Sequence, residues 1–180
     1  MKVKLLLLAL LSLLLLRPSA GVAAPAAVVN TSTASLEREV RHELLMLPYY
    51  TVFDQLAFEI RNGSTVVLMG EVTRPVLKDD AERVVKRLEG VERVDNQIHV
   101  LPLSPFDDQT RVAAFRAIYG SPELNRYVHQ AIPPIHIIVE NGNITLEGVV
   151  ANESDRELAY MKALGVPGTF SVTNHLRVES

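Results

Sequence analysis

Sliding the chain against itself by 78 residues lays Gly70 on Gly148, Val72 on Val150, Ala81 on Ala159, Gly90 on Gly168, Val94 on Val172, Asn96 on Asn174 and Val100 on Val178. The second half repeats the first. Slightly upstream the offset is 79, pairing Asn62-Gly63 with Asn141-Gly142, so one residue has been gained or lost within a hairpin. A repeated structural unit tolerates such a slip at a turn. Each unit, of about 60 to 70 residues, must bury a core of its own, which argues against a single deep catalytic cleft.

The copies share one order of elements. Leu36, Val40, Leu44 and Leu47 recur at helical spacing, with Glu37 and Glu39 in the first turn and Pro48 closing the pattern. Leu56, Phe58 and Ile60 then alternate with Ala57, Glu59 and Arg61, Asn62-Gly63 supplies positive φ for a tight turn, and Thr65 to Val72 resumes a β-branched run, together a hairpin. Val76, Leu77, Ala81, Val84, Val85 and Leu88 form the stripe of a second helix that stops at Gly90, and residues 91–100 read as a third strand. Its charged face carries the i,i+4 pairs Asp79 with Arg83 and Glu82 with Lys86, the pattern of a solvated surface. Val112, Phe115 and Ile118 or Tyr119, the strands around Asn141-Gly142, a helix over 154–164 opened by Asn152, and a strand over 170–178 repeat the series. The fold class expected is α+β, two tandem α-β-β-α-β units. Gly63 and Gly142 are expected to supply turn φ, and Gly70 and Gly148 a close approach of neighbouring backbone.

The ends add a destination. Met1 to Lys4 is short and basic, Leu5 to Leu16 is almost pure leucine, and Arg17-Pro18 and small residues follow. That is the pattern of a secretory signal peptide, and the apolar run is too short for an anchor. The reading divides the chain into a signal peptide 1–23, a flexible leader 24–34, a first unit 35–101, a linker 102–107 and a second unit 108–180. Cleavage between residues 21 and 27 would leave a soluble periplasmic or secreted protein. With no cysteine there is no lipidation site at the end of the signal and no disulfide. Without residues 1–23, 15 basic residues stand against 21 acidic ones, a net charge of −6. A nucleic-acid partner is disfavoured, since neither half offers a large basic face.

Nothing in the sequence marks a reaction centre. His42, His99, His129, His136 and His175 have no partners at ligand spacing, and the serines lack a nucleophile context. No catalytic, metal or cofactor residue is assigned. The aromatics between the first helix and first strand of each copy, Tyr49, Tyr50 and Phe53, then Tyr119 and Tyr127, admit two readings: rings closing the edge of a small core, or a rim gripping a partner. The segment 121–134 is where the copies differ most. On the second reading the candidate surface residues are Arg111, Phe115, Tyr119, Arg126 and Tyr127, with His129 beside them.

Asn-Gly before an alternating strand into Gly70 or Gly148, small residues at Ala81 and Ala159, and Val-x-Asn-x-hydrophobic-x-Val at Val94 to Val100 and Val172 to Val178 resemble the BON domain, the bacterial osmotic-shock and nodulation family. The resemblance covers nearly all of residues 36–180, in two copies as in osmotically inducible periplasmic proteins. It implies a three-stranded mixed sheet covered by two helices in each unit. It also implies envelope location, a role under osmotic or envelope stress, binding to phospholipid surfaces or envelope proteins, and no catalysis. The first helix of the second unit, Asp108 to Tyr119, would be the lipid-contacting element. A soluble periplasmic chaperone that holds unfolded clients is the competing reading.

Overall fold

A computed structural model of the chain describes residues 26–179, with side chains from Thr33 onward; the segment 1–23 expected to be a signal peptide lies outside them. The element order is α1 (Ala26–Leu45), β1 (Gln55–Arg61), β2 (Thr65–Val72), α2 (Pro75–Val85), β3 (Arg93–Asn96) and β4 (His99–Val100). The second copy follows as α3 (Pro105–Tyr119), β5 (Ile135–Glu140), β6 (Asn143–Val150), α4 (Glu153–Leu164), β7 (Ser171–Asn174) and β8 (Arg177–Val178), with a short 3-10 turn at Asn125–His129. Each unit is a mixed sheet: β1 pairs antiparallel with β2, which pairs parallel with β3 and β4, and β5 to β8 repeat this.

The hairpins explain the one-residue slip. In the second copy Glu140 faces Asn143 across Asn141 and Gly142, both at positive φ, a two-residue turn whose twist suits the strands. In the first, Asn62 and Gly63 also have positive φ, but the pairing closes at Arg61 and Thr65, leaving Ser64 as a bulge. The bulge is used: the Ser64 carbonyl accepts from the Glu92 amide at 2.9 Å, tying the turn to the segment before β3.

Alternation sends Leu56, Phe58, Val66, Leu68 and Val72 toward α1 and α2 in one core, and Ile135, Ile137, Ile144, Leu146 and Val150 toward α3 and α4 in the other. The opposite faces meet each other. Val67 and Ile138 point away from the helices yet are buried, and His99 Nε2 lies 3.2 Å from Glu140 Oε1 across the units.

Three expectations need correction. The third strand of each copy is broken, because Asn96 and Asn174 turn their side chains back on the chain: Asn96 Oδ1 accepts from the Ile98 amide and its Nδ2 donates to the Lys78 carbonyl, and Asn174 does the same with Leu176 and Arg156. This drops Ile98 and Leu176 into the cores and explains the Val-x-Asn-x-hydrophobic motif. The leader 24–34 is not irregular over its described part, since α1 runs back to Ala26. Extending a helix already nucleated by Leu36 to Leu44 costs little per residue. The linker 102–107 is shorter than its expected bounds, because Ser104 caps α3 by accepting from the Asp107 amide and Pro105 takes the first helical position.

Candidate functional site

The residues proposed as a surface rim are mostly interior. Tyr119 is 2% exposed, and its hydroxyl accepts from the Ile135 amide at 3.0 Å and donates to the Ile135 carbonyl at 2.7 Å. Tyr127, 6% exposed, donates to Asp155 at 2.6 Å and accepts from the Ala151 amide. Arg111 is 4% exposed, with its Nη2 on the Val139 carbonyl at 2.6 Å and its Nη1 on Asp108. Phe115 is half-buried between Phe53 and Tyr119. Arg126 is exposed, but is held over the Tyr127 ring and paired with Asp155. These side chains close the edge of the second core. Tyr50 plays the corresponding part in the first, bonding to the Leu56 backbone, with burial pushing its phenol up to about 12. Of the residues the sequence marked, Gly70 and Gly148 keep their assignment: φ is +111° and +122°, and a Cβ there would strike the Gln55 or Pro134 carbonyl oxygen.

Asp54, which the sequence did not single out, organises the junction between the copies. It is 0% exposed. Its Oδ2 accepts from the Thr51 amide and hydroxyl at 3.0 and 2.8 Å, and its Oδ1 from those of Thr73 at 2.7 and 2.8 Å. This fixes the Thr51 to Asp54 turn. The Val52 carbonyl then accepts from the Ile137 amide at 2.7 Å and the Asp54 carbonyl lies 2.6 Å from His136 Nδ1, both in the second unit. Phe53 meets Phe115 edge-on and Tyr50 leans on His136.

Burial holds the His136 imidazole below its ordinary range, against the opposing effect of its own hydrogen bond to the Asp54 carbonyl. A histidine whose folded value is depressed stabilises the folded form above its unfolded value of about 6.5, and that contribution is lost as pH falls through the folded value. Docking of the copies is therefore expected to weaken as pH falls below about 6.5, measured as a rise in small-angle-scattering radius, and His136→Gln should flatten that response. Beside it, burial and then Glu147 push the Glu71 carboxyl up, with Glu140 adding to that and His99 and His175 opposing it.

The exposed apolar surface lies elsewhere. Phe106, in the first turn of α3, and Phe170, just before β7, stack at 6.4 Å between centroids and are 46% and 77% exposed. Each sits over a turn glycine: a Cβ on Gly168 would meet the Phe106 ring, and one on Gly142 the Phe170 ring. Asp107 fixes that end by accepting from the amides of Asn141 and Gly142 at 3.0 and 2.8 Å. Since Phe106 at the start of α3 touches the turn after α4, the two helices run antiparallel, and the exposed Met161 and Leu164 of α4's last turn belong to the same end. Leu103, also exposed, precedes it. The sequence hid this cluster because Phe106 and Phe170 are far apart in the chain and neither lies in an apolar period.

Among the described residues no three His, Cys, Asp or Glu side chains are placed to hold a metal ion, and no helix is long and apolar enough to cross a membrane. What the arrangement offers is surface for binding. The BON domain family model matches residues 32–102 and 123–180, and the chain belongs to that family. It is a tandem member of a generally non-catalytic group of envelope-associated binding modules. The second matched segment begins after α3, so the helix expected to contact lipid falls outside it. Among solved structures, one of CdsD, a structural protein of the type III secretion system of Chlamydia trachomatis, is 14% identical, covering 81% of this chain and 92% of that one with a TM-score of 0.32. One of the C-terminal domain of CdsD is also 14% identical, covering 81% of this chain and 98% of that one with a TM-score of 0.28. No curated protein matches.

Proposed function

We propose that the chain is a non-enzymatic, exported binding module of the bacterial cell envelope, which contacts phospholipid surfaces or envelope proteins under osmotic or envelope stress through the apolar end of its second unit. The observation that carries this reading is the exposed Phe106–Phe170 stack, with Met161 and Leu164 exposed in the last turn of α4 at the same end. A cluster of large apolar side chains left in water by an otherwise well-packed domain marks a contact surface. Two rings already ordered over glycine turns lose little conformational freedom on insertion into a headgroup layer or a partner's groove. The net negative charge of the mature chain argues against long-range attraction to anionic lipid, so contact rests on apolar burial and depends weakly on salt.

The test is sedimentation with vesicles of phosphatidylglycerol and of phosphatidylcholine, beside a client-aggregation assay. Wild type should pellet with vesicles. Phe106→Ser with Phe170→Ser should lower that association about tenfold, in line with apolar burial as the driving term, with an unchanged circular dichroism spectrum. Equal sedimentation of the double variant would remove this surface from the reading. Suppressed client aggregation without vesicle binding would favour a holdase.

A further inference from the structure

In an antiparallel pair, alternate residues of an edge strand point their N–H and C=O away from the partner. For β5 these are Ile135, Ile137 and Val139, and each is engaged. Tyr119 hydroxyl bonds both backbone groups of Ile135, the Val52 carbonyl accepts from the Ile137 amide, and Arg111 donates to the Val139 carbonyl. The matching residues of β1 are Leu56, Phe58 and Ile60. Tyr50 takes Leu56. The outward backbone groups of Phe58 and Ile60 have no partner among the described residues.

That open edge borders a cleft of about 210 Å³ lined by Arg41, Leu44, Leu45, Tyr50, residues 55–58 and Arg177. Arg41 occupies on α1 a place like that of Arg111 on α3, but it lies exposed with its guanidinium 5.5 Å from the Phe58 ring centroid, not on a strand carbonyl. Arg177 comes from β8 of the other unit. Neither arginine has a carboxylate partner among the described residues, and no acidic residue lines the cleft.

We propose that the outer edge of β1 receives an extended peptide segment as an added strand, with alternating apolar and acidic side chains set against Leu44 and Leu45 and against Arg41 and Arg177. The copy within the same chain shows that this edge accepts backbone partners: its equivalent is closed by the Thr51 to Asp54 turn, through the Val52 carbonyl on the Ile137 amide. Strand addition supplies both a donor and an acceptor to each open residue. An anionic lipid lacks the backbone donors that the Phe58 and Ile60 carbonyls need. A second copy of this chain paired through β1 would bring its own Arg41 and Arg61 against those of the first. The proposal is independent of the Phe106–Phe170 reading, since the two surfaces share no residue.

The probe is a blocked hexapeptide alternating valine and glutamate, added to the isotope-labelled mature protein, with the valine–lysine peptide as control. Amide exchange at Phe58 and Ile60 should slow at least about tenfold under saturation, as expected when an exposed amide gains a partner. The lysine peptide, and the surface variant Arg41→Glu with Arg177→Glu, should each bind about tenfold more weakly, through loss of charge complementarity. The proposal is overturned if Phe58 and Ile60 are unaffected by millimolar peptide, or if both peptides bind wild type and variant alike. It is also overturned if phosphatidylglycerol vesicles or self-association alone produce the same protection. Loss of vesicle binding in the phenylalanine variant leaves these outcomes unchanged, so the two proposals fail separately.

Discussion

Gly148→Val is expected to unfold the second unit under conditions where the first stays folded, at a loss of about 3 kcal/mol or more. Two costs coincide. At φ +122° the backbone lies where side chains are rarely accommodated, and the first atom of any side chain would fall on the Pro134 carbonyl oxygen. Pro134 lies directly before β5, so yielding to the clash would pull Ile135 off the Tyr119 hydroxyl and open the core at its edge. Gly70→Val should do the same to the first unit, through Gln55. Thermal unfolding followed by residue-resolved NMR checks this: the second-unit amides should melt well before those of β2. Equal melting of Gly148→Val and wild type would mean that the tight backbone approach is not a structural requirement.

Asp54→Ala is expected to be nearly as damaging, by about 2 to 3 kcal/mol, because it removes the buried carboxylate that satisfies four donors at once. The amides and hydroxyls of Thr51 and Thr73 all point at it. Losing them releases the turn that presents the Val52 carbonyl to Ile137, so the variant should also separate the two units. Asp54→Asn keeps one acceptor and should cost less. Urea denaturation measures both, and an Asp54→Ala midpoint equal to wild type would show that the turn is held by other contacts.

Much of the architecture was legible because it is written locally. The Leu56, Phe58, Ile60 alternation into Asn62-Gly63 sets a hairpin, Asn152 opens α4 by accepting from the Asp155 amide, and the 78-residue repeat transfers each element to the other copy. The side chains that join distant segments were not legible. Asp54 reads as one more polar loop residue until Thr73 is beside it, and Tyr119 and Tyr127 could close a core or form a rim until their hydroxyls meet Ile135 and Asp155. Both readings of those tyrosines stay open in the sequence for the same reason: in a small unit, tyrosine at the core margin serves as well by burying its ring and satisfying an edge strand as by facing a partner. The exposed Phe106–Phe170 pair depends on the turns at Gly142 and Gly168 coming together, which no local period reports.

The central claim is that one scaffold appears twice, with its edge closed in the second copy and open in the first. Amide hydrogen exchange of the free protein tests it without any ligand. At neutral pH the amides of Ile135 and Ile137 should exchange slowly, protected by Tyr119 and Val52, while those of Phe58 and Ile60, in the matching positions of β1, should exchange at least about tenfold faster. Equal protection at Phe58 and Ile137 would contradict the claim, for it would mean that the first edge is already covered.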